Sequence, residues 1–600
     1  MLFNTFDAGQ LSIGGYPRSL IDMIIEKDYL DKDKYHLFAS QFAIHSDKSG
    51  SWRGEFWGKF VRGACECYKA SNNAKLYKII EDSVMEMLSY VEPDGTLSSY
   101  IKEERFTGWD MWSRKYAMIG FLSYLSISKY EGKKRKVLSR LKKQASEIMK
   151  AIGKGRGKKD ILDTSNIYGS LNSASILGVY VALYNLTGIK KYLDFATYIV
   201  SSGLSRGEDL VSNALKEGSY PYMWKSKKAY EMIACFQGLL YYGVAKKEQR
   251  YIDAVASFVH KVAESDFTIV GGIGTESEFF NNSSLKQVNP SSKPGLETCV
   301  TVQFMSLCFD MLRFSGNGYY ASLLETMSYN ALFGATNDEN QKMDLAEGRV
   351  WRLDGYDTPP HESYCFDSYS PLVHQRRARL VGGYMRLQNN KSYGCCAANG
   401  GYGLGLVSAF SFLKKDGGYV LNLYNSFHAK DFVKGKKISF SLIANLYKKG
   451  STKLRIDGNN ERFELLLRVP NWSTIKLKIN GEPLKMEPAQ DGYIHIDRIW
   501  GKDVMSISLS LSLSRLELEG KVAYKRGPIV LAFDKRFGNL YPLPSQGEKW
   551  KLVDNSFFQN NETIEFANGL KLCDYASAAK NMDDKDAFLA VWMDEKSSKE

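Results

Sequence analysis

A short motif recurs along the first half of the chain and restricts the folds open to it. In each copy a polar turn follows an amphipathic stretch and a tyrosine opens the next one. The segments NNAKLY, TGIKKY, KKEQRY and SGNGYY end at Tyr77, Tyr192, Tyr251 and Tyr320, and a degenerate copy, EGKKRK, ends at Lys136. Successive copies lie 59, 56, 59 and 69 residues apart. Since apolar residues beside the turns recur at three and four positions, each repeat predicts one helical hairpin with a long loop.

Five such hairpins fit between residues 54 and 336, and a sixth is available. It would pair the N-terminal helix, Pro17 to Tyr29, with the apolar stretch after Asn399. Six inward and six outward helices make an (α/α)6 toroid. The alternative is a linear solenoid, because helix pairs often stack without closing. Two long helix-poor segments, Gly271 to Leu296 and Asn337 to Ser392, are of a length that is usually functional in a compact domain.

The pattern changes near Gly417, where period-two alternation begins. Runs such as KISFSLIANLY, RFELLLRVPNW and VMSISLSLSLSRLELEG are separated by Gly, Asn and Asp turns, which indicates antiparallel sheet and favours a β-sandwich. The tail segments KLCDYASAAK and AFLAVWMDE could supply closing strands. We therefore predict a helical-toroid catalytic domain at residues 1–416 and a β-sandwich region at 417–600, with room for two small sandwiches.

Composition and charge exclude several classes of protein. The net charge of +13 is spread along the 600 residues, and no recognised nucleic-acid module accompanies it, so we expect no nucleic-acid partner. No stretch approaches 18 apolar residues, so we expect no membrane span. The start, MLFNTFDAGQ, has neither a basic n-region nor an apolar h-region, which predicts a cytoplasmic protein. A homodimer is left open. The aromatic content of 13% suits a glycan partner, because flat rings stack on sugar faces.

Cysteine usage gives the sharpest chemical clue. Of nine cysteines, Cys395 and Cys396 are adjacent, in KSYGCCAANGG, ahead of an apolar helical run for which Asn399 is a good N-cap. A helix N-terminus favours the thiolate, which serves as a nucleophile or a zinc ligand. PGLETC places Glu297 and Cys299 at the start of another helix. These four residues would make a tetrahedral zinc site, although their spacing matches no standard finger or ribbon. Three further cysteines, at 65, 235 and 308, fall on apolar helix faces and are expected to be small buried hydrophobes.

Paired carboxylates are typical of sugar hydrolysis. GGIGTESEFF offers Glu276 and Glu278 on a glycine-rich loop, and HESYCFDSYSP offers Glu362 and Asp367. The residues alone do not choose among these four. No GxSxG, P-loop, GxGxxG or HExxH segment is present, and seven histidines in 600 residues argue against a histidine-rich metal centre.

At this point the motifs resemble a known family, the non-reducing-end β-L-arabinofuranosidases of glycoside hydrolase family 127. The resemblance covers nearly the whole chain. It is carried by GEFWGKFVRGA, GWDMWSRKYAMIG, TIVGGIGTESEFF, LETCVTVQFM and YGCCAANG, and in the sheet region by LLLRVPNW, GYIHIDRIWGKDV and VAYKRGPIVLA. It implies an (α/α)6 barrel followed by β-sandwich domains, and a retaining mechanism with a cysteine nucleophile on zinc.

Carried over residue by residue, the resemblance implies four zinc ligands, Glu297, Cys299, Cys395 and Cys396. It implies Cys395 as the nucleophile and Glu278 as the acid/base. The chain departs from the family where Tyr230 stands in place of a common histidine and where alanines follow the cysteine pair, and these changes leave the sugar open. Further candidates for the pocket, each with an alternative packing or capping role, are Trp109, Trp112, Tyr230, Glu231, Tyr393 and Asn399.

Three functions follow as hypotheses. The first is an exo-acting retaining glycoside hydrolase, β-L-arabinofuranosidase-like, that uses a zinc-bound thiolate and a glutamate acid/base. The second is a polysaccharide lyase or an unsaturated-glycan-processing enzyme on the same architecture, which would leave the Cys-Cys and Glu-x-Cys pattern unexplained. The third is a catalytically inactive glycan-binding protein.

Overall fold

The structure is a computed structural model, and it describes most of the chain. The described residues are 2–289, 295–337, 365–374, 377, 383–388, 392–444, 450–538, 543–553, 563–580 and 588–594. Glu362, one of the carboxylates singled out above, lies outside them. Everything that follows concerns the described residues.

The α-helices occupy the first two thirds of the chain and are joined by short turns or by longer loops. In order they are α1 (Gly15–Ile24), α2 (Lys32–Ile44), α3 (Phe56–Ser71), α4 (Ala74–Ser89), α5 (Asp110–Leu125), α6 (Glu131–Ala151), α7 (Leu171–Ala174), α8 (Leu177–Thr187), α9 (Lys190–Ser201), α10 (Leu210–Leu215), α11 (Ala229–Lys246), α12 (Gln249–Ser265), α13 (Ser283–Lys286), α14 (Thr298–Ser315), α15 (Gly318–Thr326), α16 (Phe333–Ala335) and α17 (Cys395–Ser411). Wider π-helical turns follow α1 at Ile25–Tyr29 and α15 at Met327–Leu332.

Six inner segments, one of them made of two helices, form a closed inner ring. Each packs against the next in the order α3, α5, the α7–α8 pair, α11, α14, α17, and α17 packs back against α3. Each inner helix also packs against an outer one: α4 on α3, α6 on α5, α9 on α8, α12 on α11, α15 on α14, and α1 on α17. The (α/α)6 toroid is confirmed, with its sixth hairpin made from the two helices that the sequence suggested, and the linear solenoid is wrong because α17 and α3 close the ring.

The repeated tyrosines have a packing role that explains the motif. Tyr77 contacts Tyr68 of the preceding inner helix with ring centroids 5.3 Å apart, and Tyr251 contacts Tyr242 in the same way at 5.1 Å. Both tyrosines lie in the first turn of an outer helix. The α3–α4 and α11–α12 hairpins are therefore each stabilised just after the turn by an aromatic pair, which is worth about 0.5–1.5 kcal/mol beyond the area it buries.

The strands form two main sheets and two small hairpins. They are β1 (Phe3–Asn4), β2 (Leu11–Ile13), β3 (Leu204–Ser205), β4 (Glu208–Asp209), β5 (Tyr384–Arg386), β6 (Ser392–Gly394), β7 (Phe412–Lys415), β8 (Gly418–Leu421), β9 (Phe427–Val433), β10 (Lys436–Ala444), β11 (Ser451–Arg468), β12 (Ile475–Ile479), β13 (Glu482–Leu484), β14 (Tyr493–Leu509), β15 (Leu513–Leu518), β16 (Lys521–Arg526), β17 (Ile529–Asp534), β18 (Trp550–Leu552), β19 (Thr563–Phe566), β20 (Lys571–Asp574), β21 (Leu589–Ala590) and β22 (Met593–Asp594).

The first sheet runs β1-β7-β8-β11-β10-β9-β2, and β14, β12 and β13 branch from β11. Its buried alternate residues form one core that includes Phe412, Tyr419, Phe440 and Trp500. The antiparallel β-sandwich region is confirmed, with one exception: β8 and β11 pair in parallel. β1 and β2, which precede the helices in the chain, also join this sheet. The sheet therefore contains strands from before and after the helical region. The boundary between residues 416 and 417 stays a prediction.

The second sheet runs β15-β16-β17-β20-β19-β18, with β21 on β17 and β22 on β16. It packs on the helical ring and fixes a loop that reaches the ring axis. The Tyr575 hydroxyl donates to Pro371 O at 2.9 Å, and Val591 N donates to Leu372 O at 2.8 Å. The segment 365–374 is thereby held beside the N-terminus of α14, where Thr298 N donates to Ser368 O at 2.9 Å.

Candidate active site

A cavity of about 410 Å³ opens where the inner helices begin, and we call it the N-end cavity. It gathers residues from α3, α5, α11 and α17 and from several segments between the helices. The sequence-predicted residues that line it are Glu278, Glu297, Cys395, Trp109, Trp112, Tyr230 and Glu231. The fold therefore brings together side chains up to 286 positions apart in the sequence, from Trp109 to Cys395.

Glu297, Cys299, Cys395 and Cys396 form a buried cluster at the bottom of this cavity. Their ligand atoms all lie within 4.8 Å of one another. The Glu297 Oε1 atom is 3.7 Å from Cys395 Sγ and 3.5 Å from Cys396 Sγ, and the two sulfurs are 3.8 Å apart. Four donors placed about 2.3 Å from a central ion at the corners of a tetrahedron would lie about 3.8 Å apart. The cluster could therefore hold one metal ion.

Two helix N-termini converge on the cluster. Glu297 is the N-cap of α14 and Cys299 its second residue, while Cys395 and Cys396 are the first two residues of α17. Helix N-termini carry partial positive charge, which favours anionic ligands. The sequence analysis was wrong in making Asn399 the N-cap of α17, because the helix starts at Cys395 with Gly394 as its cap.

The pKa shifts of the cluster residues are those expected of a site that binds a cation. Burial, together with the charges of Glu278 and Cys395, raises the pKa of Glu297 well above its usual value. Burial and the hydrogen bond to Cys299 likewise raise the pKa of Cys396. Burial would also raise the pKa of Cys299, but hydrogen bonds from Cys395 and Cys396 lower it to about 6. The raised pKa values favour the protonated forms of Glu297 and Cys396, and a cation bound among them would take the place of those protons.

Glu278 reaches the cavity from a strained loop. Its φ is +64° and that of Ser277 is +54°, a left-handed conformation that is uncommon outside glycine. The surrounding backbone enforces it, since Ala229 N donates to Glu278 O at 3.1 Å and Phe280 N donates to Lys227 O at 2.9 Å. Strain of this kind is concentrated at functional sites.

The Glu278 carboxylate is held by two partners. The Tyr369 hydroxyl donates to Oε1 at 2.6 Å, and Lys228 forms an ion pair with Oε2. Burial alone would raise the pKa of Glu278, but the Lys228 ammonium and the Tyr369 hydroxyl bring that pKa below its usual value. Tyr369 belongs to the loop that the second sheet secures, so the β region contributes directly to the geometry of this carboxylate.

A second buried cation, Lys59, stands beside the cysteines. Its Nζ atom lies 3.8 Å from Cys299 Sγ and 2.9 Å from Glu55 Oε1, and only 1% of the residue is exposed. It also faces the ring of Tyr230 at 4.6 Å. Lys59 therefore places positive charge beside the Cys299 sulfur and helps to lower the pKa of that thiol.

Aromatic rings form the opposite wall of the N-end cavity. Trp109 contacts Trp52, Trp112 and Tyr168 with ring centroids 6.3, 5.9 and 6.2 Å apart, and Tyr168 contacts Phe279 at 5.7 Å. Such faces stack well on the apolar side of a sugar ring. Glu231 is 3% exposed, and its Oε2 atom has no hydrogen-bond partner in the described structure, so it is free to accept from a ligand hydroxyl.

The remaining predicted residues lie elsewhere. The Tyr393 ring packs on Phe38 at 4.8 Å, and Asn399 Oδ1 accepts from Arg62 Nη2 at 2.6 Å, so neither lines the N-end cavity. Asp367 is buried away from it, and Glu276 lines a neighbouring groove of about 630 Å³ that shares Tyr168 and Phe279 with the cavity. Cys65, Cys235 and Cys308 are buried as expected.

Nine of the residues that line the cavity were not predicted from the sequence, and five of these are lysines, tyrosines or a tryptophan. Lys59, Lys228, Tyr369, Trp52 and Tyr168 line the cavity without belonging to a chemical motif. Three of them lie in or near segments that the sequence had singled out. Lys228 directly precedes the AYE segment, Trp52 lies two residues before the GEFWGK segment, and Lys59 is the lysine of that segment. No sequence feature pointed to Tyr369 or Tyr168 as cavity residues, because the packing of the helical ring and the second sheet brings them there.

Comparison with known proteins gives one family. The family model described as "Beta-L-arabinofuranosidase, GH127 catalytic domain" matches residues 24–344, and the model described as the middle domain of the same family matches residues 419–513. A search of curated proteins finds no match.

Solved structures share the fold over almost their full length. A GH127 β-L-arabinofuranosidase from Geobacillus stearothermophilus T6 aligns with a TM-score of 0.72 and 16% identity, covering 99% of this chain and 100% of that one. The GH127 β-arabinofuranosidase BT3674 aligns with a TM-score of 0.73 and 18% identity, covering 99% and 98%. At these identities the likeness concerns the fold alone. No helix among the described residues combines the length and hydropathy needed to cross a bilayer.

Proposed function

Because the chain belongs to glycoside hydrolase family 127 and is a glycoside hydrolase, we propose that it releases β-L-arabinofuranose from the non-reducing ends of glycans with retention of configuration. In this proposal Cys395 is the nucleophile and Glu278 the acid/base. The observation that carries it is the meeting, in one cavity, of a buried Glu/Cys3 cluster and a carboxylate held on a separate loop.

The donor set suits zinc. Three sulfurs and one carboxylate oxygen, spaced at 3.5–3.8 Å where distances are known, match the ligand types and tetrahedral spacing that zinc prefers. Glu297, Cys299, Cys395 and Cys396 would hold the ion. Bound there, zinc keeps Cys395 deprotonated at neutral pH and moderates the basicity of its sulfur.

In the first half of the reaction, Cys395 Sγ attacks the anomeric carbon and forms a thioglycosyl bond. The glycosidic C–O bond breaks, and Glu278 gives its proton to the departing oxygen. Cys395 is the ligand suited to this role because it lines the cavity, whereas Cys299 and Cys396 are buried behind it. Gly383 keeps the approach open, since a Cβ at this residue would lie 2.2 Å from Cys395 Sγ.

In the second half, Glu278 takes a proton from water, and the resulting hydroxide displaces the sulfur from the anomeric carbon. The sugar leaves with the configuration it had in the glycan, and Glu278 is protonated for the next cycle. Tyr369 and Lys228 hold both carboxylate oxygens in place between the two steps.

The walls of the cavity bind the sugar. Trp109 and Tyr168 offer ring faces, and the unpaired Glu231 Oε2 atom accepts from a sugar hydroxyl. The adjoining groove shares Tyr168, Ser277 and Phe279 with the cavity and would take the rest of the glycan. We also propose residues 1–416 as the catalytic unit and 417–600 as its β-sandwich support.

The test is hydrolysis of an aryl β-L-arabinofuranoside, with the anomer of the released sugar followed by NMR. We expect wild type and Cys235→Ser to release the retained anomer. Cys395→Ser should lose at least about 10³-fold in kcat, as expected when a nucleophile is removed. Cys235 is a matched control because it is buried on α11, and its Sγ contact with Leu171 O at 3.4 Å can be kept by a hydroxyl.

Other outcomes would contradict the proposal. An inverted product, or hydrolysis unchanged in Cys395→Ser, would rule out the thiolate mechanism. Sugar binding without turnover would favour a glycan-binding protein, and an unsaturated product from a uronate polymer would favour a lyase.

A further inference from the structure

A second cavity lies on the axis of the helical ring, further along the same inner helices. We call it the C-end cavity, and its volume is about 310 Å³. All six inner segments of the ring contribute to its wall. Trp112, Tyr116 and Tyr230 separate it from the N-end cavity, and the hydroxyls of the two tyrosines are hydrogen-bonded to each other. It is therefore a compartment of its own, and the proposed glycosidase chemistry makes no use of it.

Two buried cations face this compartment. Arg62 is 7% exposed and Lys115 is 2% exposed. Buried charges are costly unless an opposite charge or hydrogen bonds compensate them. Arg62 and Lys115, on one cavity wall, therefore require a compensating negative charge or a full set of hydrogen bonds.

The contacts of both cations within the described structure are with neutral groups. Arg62 Nη2 donates to Asn399 Oδ1 at 2.6 Å, its guanidinium lies 4.0 Å from the centroid of the Tyr402 ring, and its buried Nε has no hydrogen-bond partner. Lys115 Nζ donates to Ser175 Oγ at 3.0 Å and lies 3.5 Å from the centroid of the Trp112 ring. The donors of both side chains are thus only partly used.

Glu66 on the cavity wall and Asp310 close to it already have partners. Glu66 pairs with Lys69 at 2.7 Å. Asp310 Oδ2 accepts from Gln237 Nε2 at 2.6 Å and also from the Tyr241 hydroxyl. Glu231 also acts electrostatically on Lys115, but it lines the N-end cavity. Among the described residues, no unpaired carboxylate lines the C-end cavity, so an anion from outside the chain would complete it.

The rest of the wall suits a small hydrophilic ligand. Gln303 Nε2 donates to Gln237 Oε1 at 2.6 Å, and Ser306 Oγ lies 3.0 Å from the Tyr402 hydroxyl, so the wall is a connected polar network. Half-buried residues such as Ser123 and Ala182 form the mouth, which gives access from solvent.

We propose that the C-end cavity binds a small oxyanion, a carboxylate or a phosphate group, through Arg62 and Lys115. Guanidinium and ammonium donors to an oxyanion form charge-assisted hydrogen bonds, which are about twice as strong as neutral ones. Burial lowers the pKa of Lys115 well below its usual value, and an oxyanion beside the amine would favour its charged form.

The experiment is isothermal titration calorimetry of the full chain at low ionic strength, with inorganic phosphate, acetate and galacturonate tested separately. Lys115→Met removes one cation. Ala182→Phe fills the mouth and keeps both cations, so it tests the cavity even where Lys115→Met fails to fold. Lys136→Met, on the exposed face of α6, is a control with the same loss of charge.

We expect one-to-one binding of at least one of the three anions to wild type and to Lys136→Met. Binding should weaken about 10-fold or more in Lys115→Met and in Ala182→Phe. The anion that binds identifies the source of the oxyanion. The proposal is overturned if wild type binds none of the three, or if either cavity variant binds as well as wild type.

Discussion

Lys228 and Glu278 form the ion pair on which the proposed proton transfers depend. The Lys228 ammonium stabilises the ionised carboxylate, which lowers the pKa of Glu278, although burial alone would raise it. A general acid must carry its proton, so this pair limits the pH range over which the first half-reaction runs fast.

Replacing Lys228 with methionine should therefore raise the pKa of Glu278. The acid then keeps its proton to a higher pH, and the basic limb of the kcat/KM profile should move to higher pH. Lys227→Met is the matched control, because Lys227 is the exposed neighbour and its loss changes the chain charge equally. A basic limb that stays in place, or that moves to lower pH, would show that Glu278 is not the acid.

Individual site residues differ in how far the sequence could predict them. The four candidate ligands come together as predicted, because the Cys-Cys and Glu-x-Cys segments are local patterns at two helix starts. Lys59 and Lys228 lie in or beside segments that the sequence singled out, but lysines are common, and the burial seen in the structure is what distinguishes these two. Tyr393 and Asn399 were candidates because they flank the cysteine pair, but the strand and helix direct their side chains elsewhere.

Among the elements, the inner helices meet so closely that some positions tolerate only glycine. A Cβ at Gly58 of α3 would lie 1.9 Å from the carbonyl oxygen of Tyr116 on α5. Because the obstacle is backbone, a rotamer change cannot relieve it, and the two helices would have to separate.

Gly58→Ala should lower the free energy of unfolding by about 1–3 kcal/mol, as overpacking in a core does. Gly132→Ala on α6 is the control, since a Cβ there meets nothing within 4 Å, and the substitution should stabilise by about 0.5–1 kcal/mol. Urea denaturation of both variants measures the difference. Equal effects of the two substitutions would contradict the close contact of α3 with α5.

The sequence predicted where helices begin better than it predicted how strands pair. The turn-tyrosine motif marks where an outer helix begins, and at Tyr77 and Tyr251 the tyrosine packs on the preceding inner helix. The parallel pairing of β8 with β11 was not predictable, since alternation fixes which face of a strand is buried and says nothing about strand direction.

Over the whole molecule, the helical ring and the first sheet are joined by a buried ion pair. The Nη2 atom of Arg468 on β11 lies 2.7 Å from the Oε1 atom of Glu325 on α15, and both side chains are at most 2% exposed. Trp472 Nε1 donates to the same carboxylate at 2.8 Å. The second sheet contacts the helical ring through the loop that carries Tyr369, so both sheets are attached to the ring.

Arg468→Met should destabilise the protein by about 3–5 kcal/mol, because it leaves the Glu325 carboxylate buried without its partner. Arg462→Met, on the same strand, removes an exposed pair with Asp497 and should cost at most about 1 kcal/mol. Chemical denaturation compares the two. A cost for Arg468→Met as small as that of the control would show that the ring and the sheet do not depend on this contact.

The proposed mechanism requires that Glu297, Cys299, Cys395 and Cys396 hold zinc, and the metal content of the purified protein tests this requirement. Protein purified under reducing conditions should contain about one zinc per chain. Cys299→Ser should lose most of it, while Cys308→Ser, a buried cysteine further along the same helix, should keep it. Wild-type protein without zinc, or zinc retained in full by Cys299→Ser, would contradict the account.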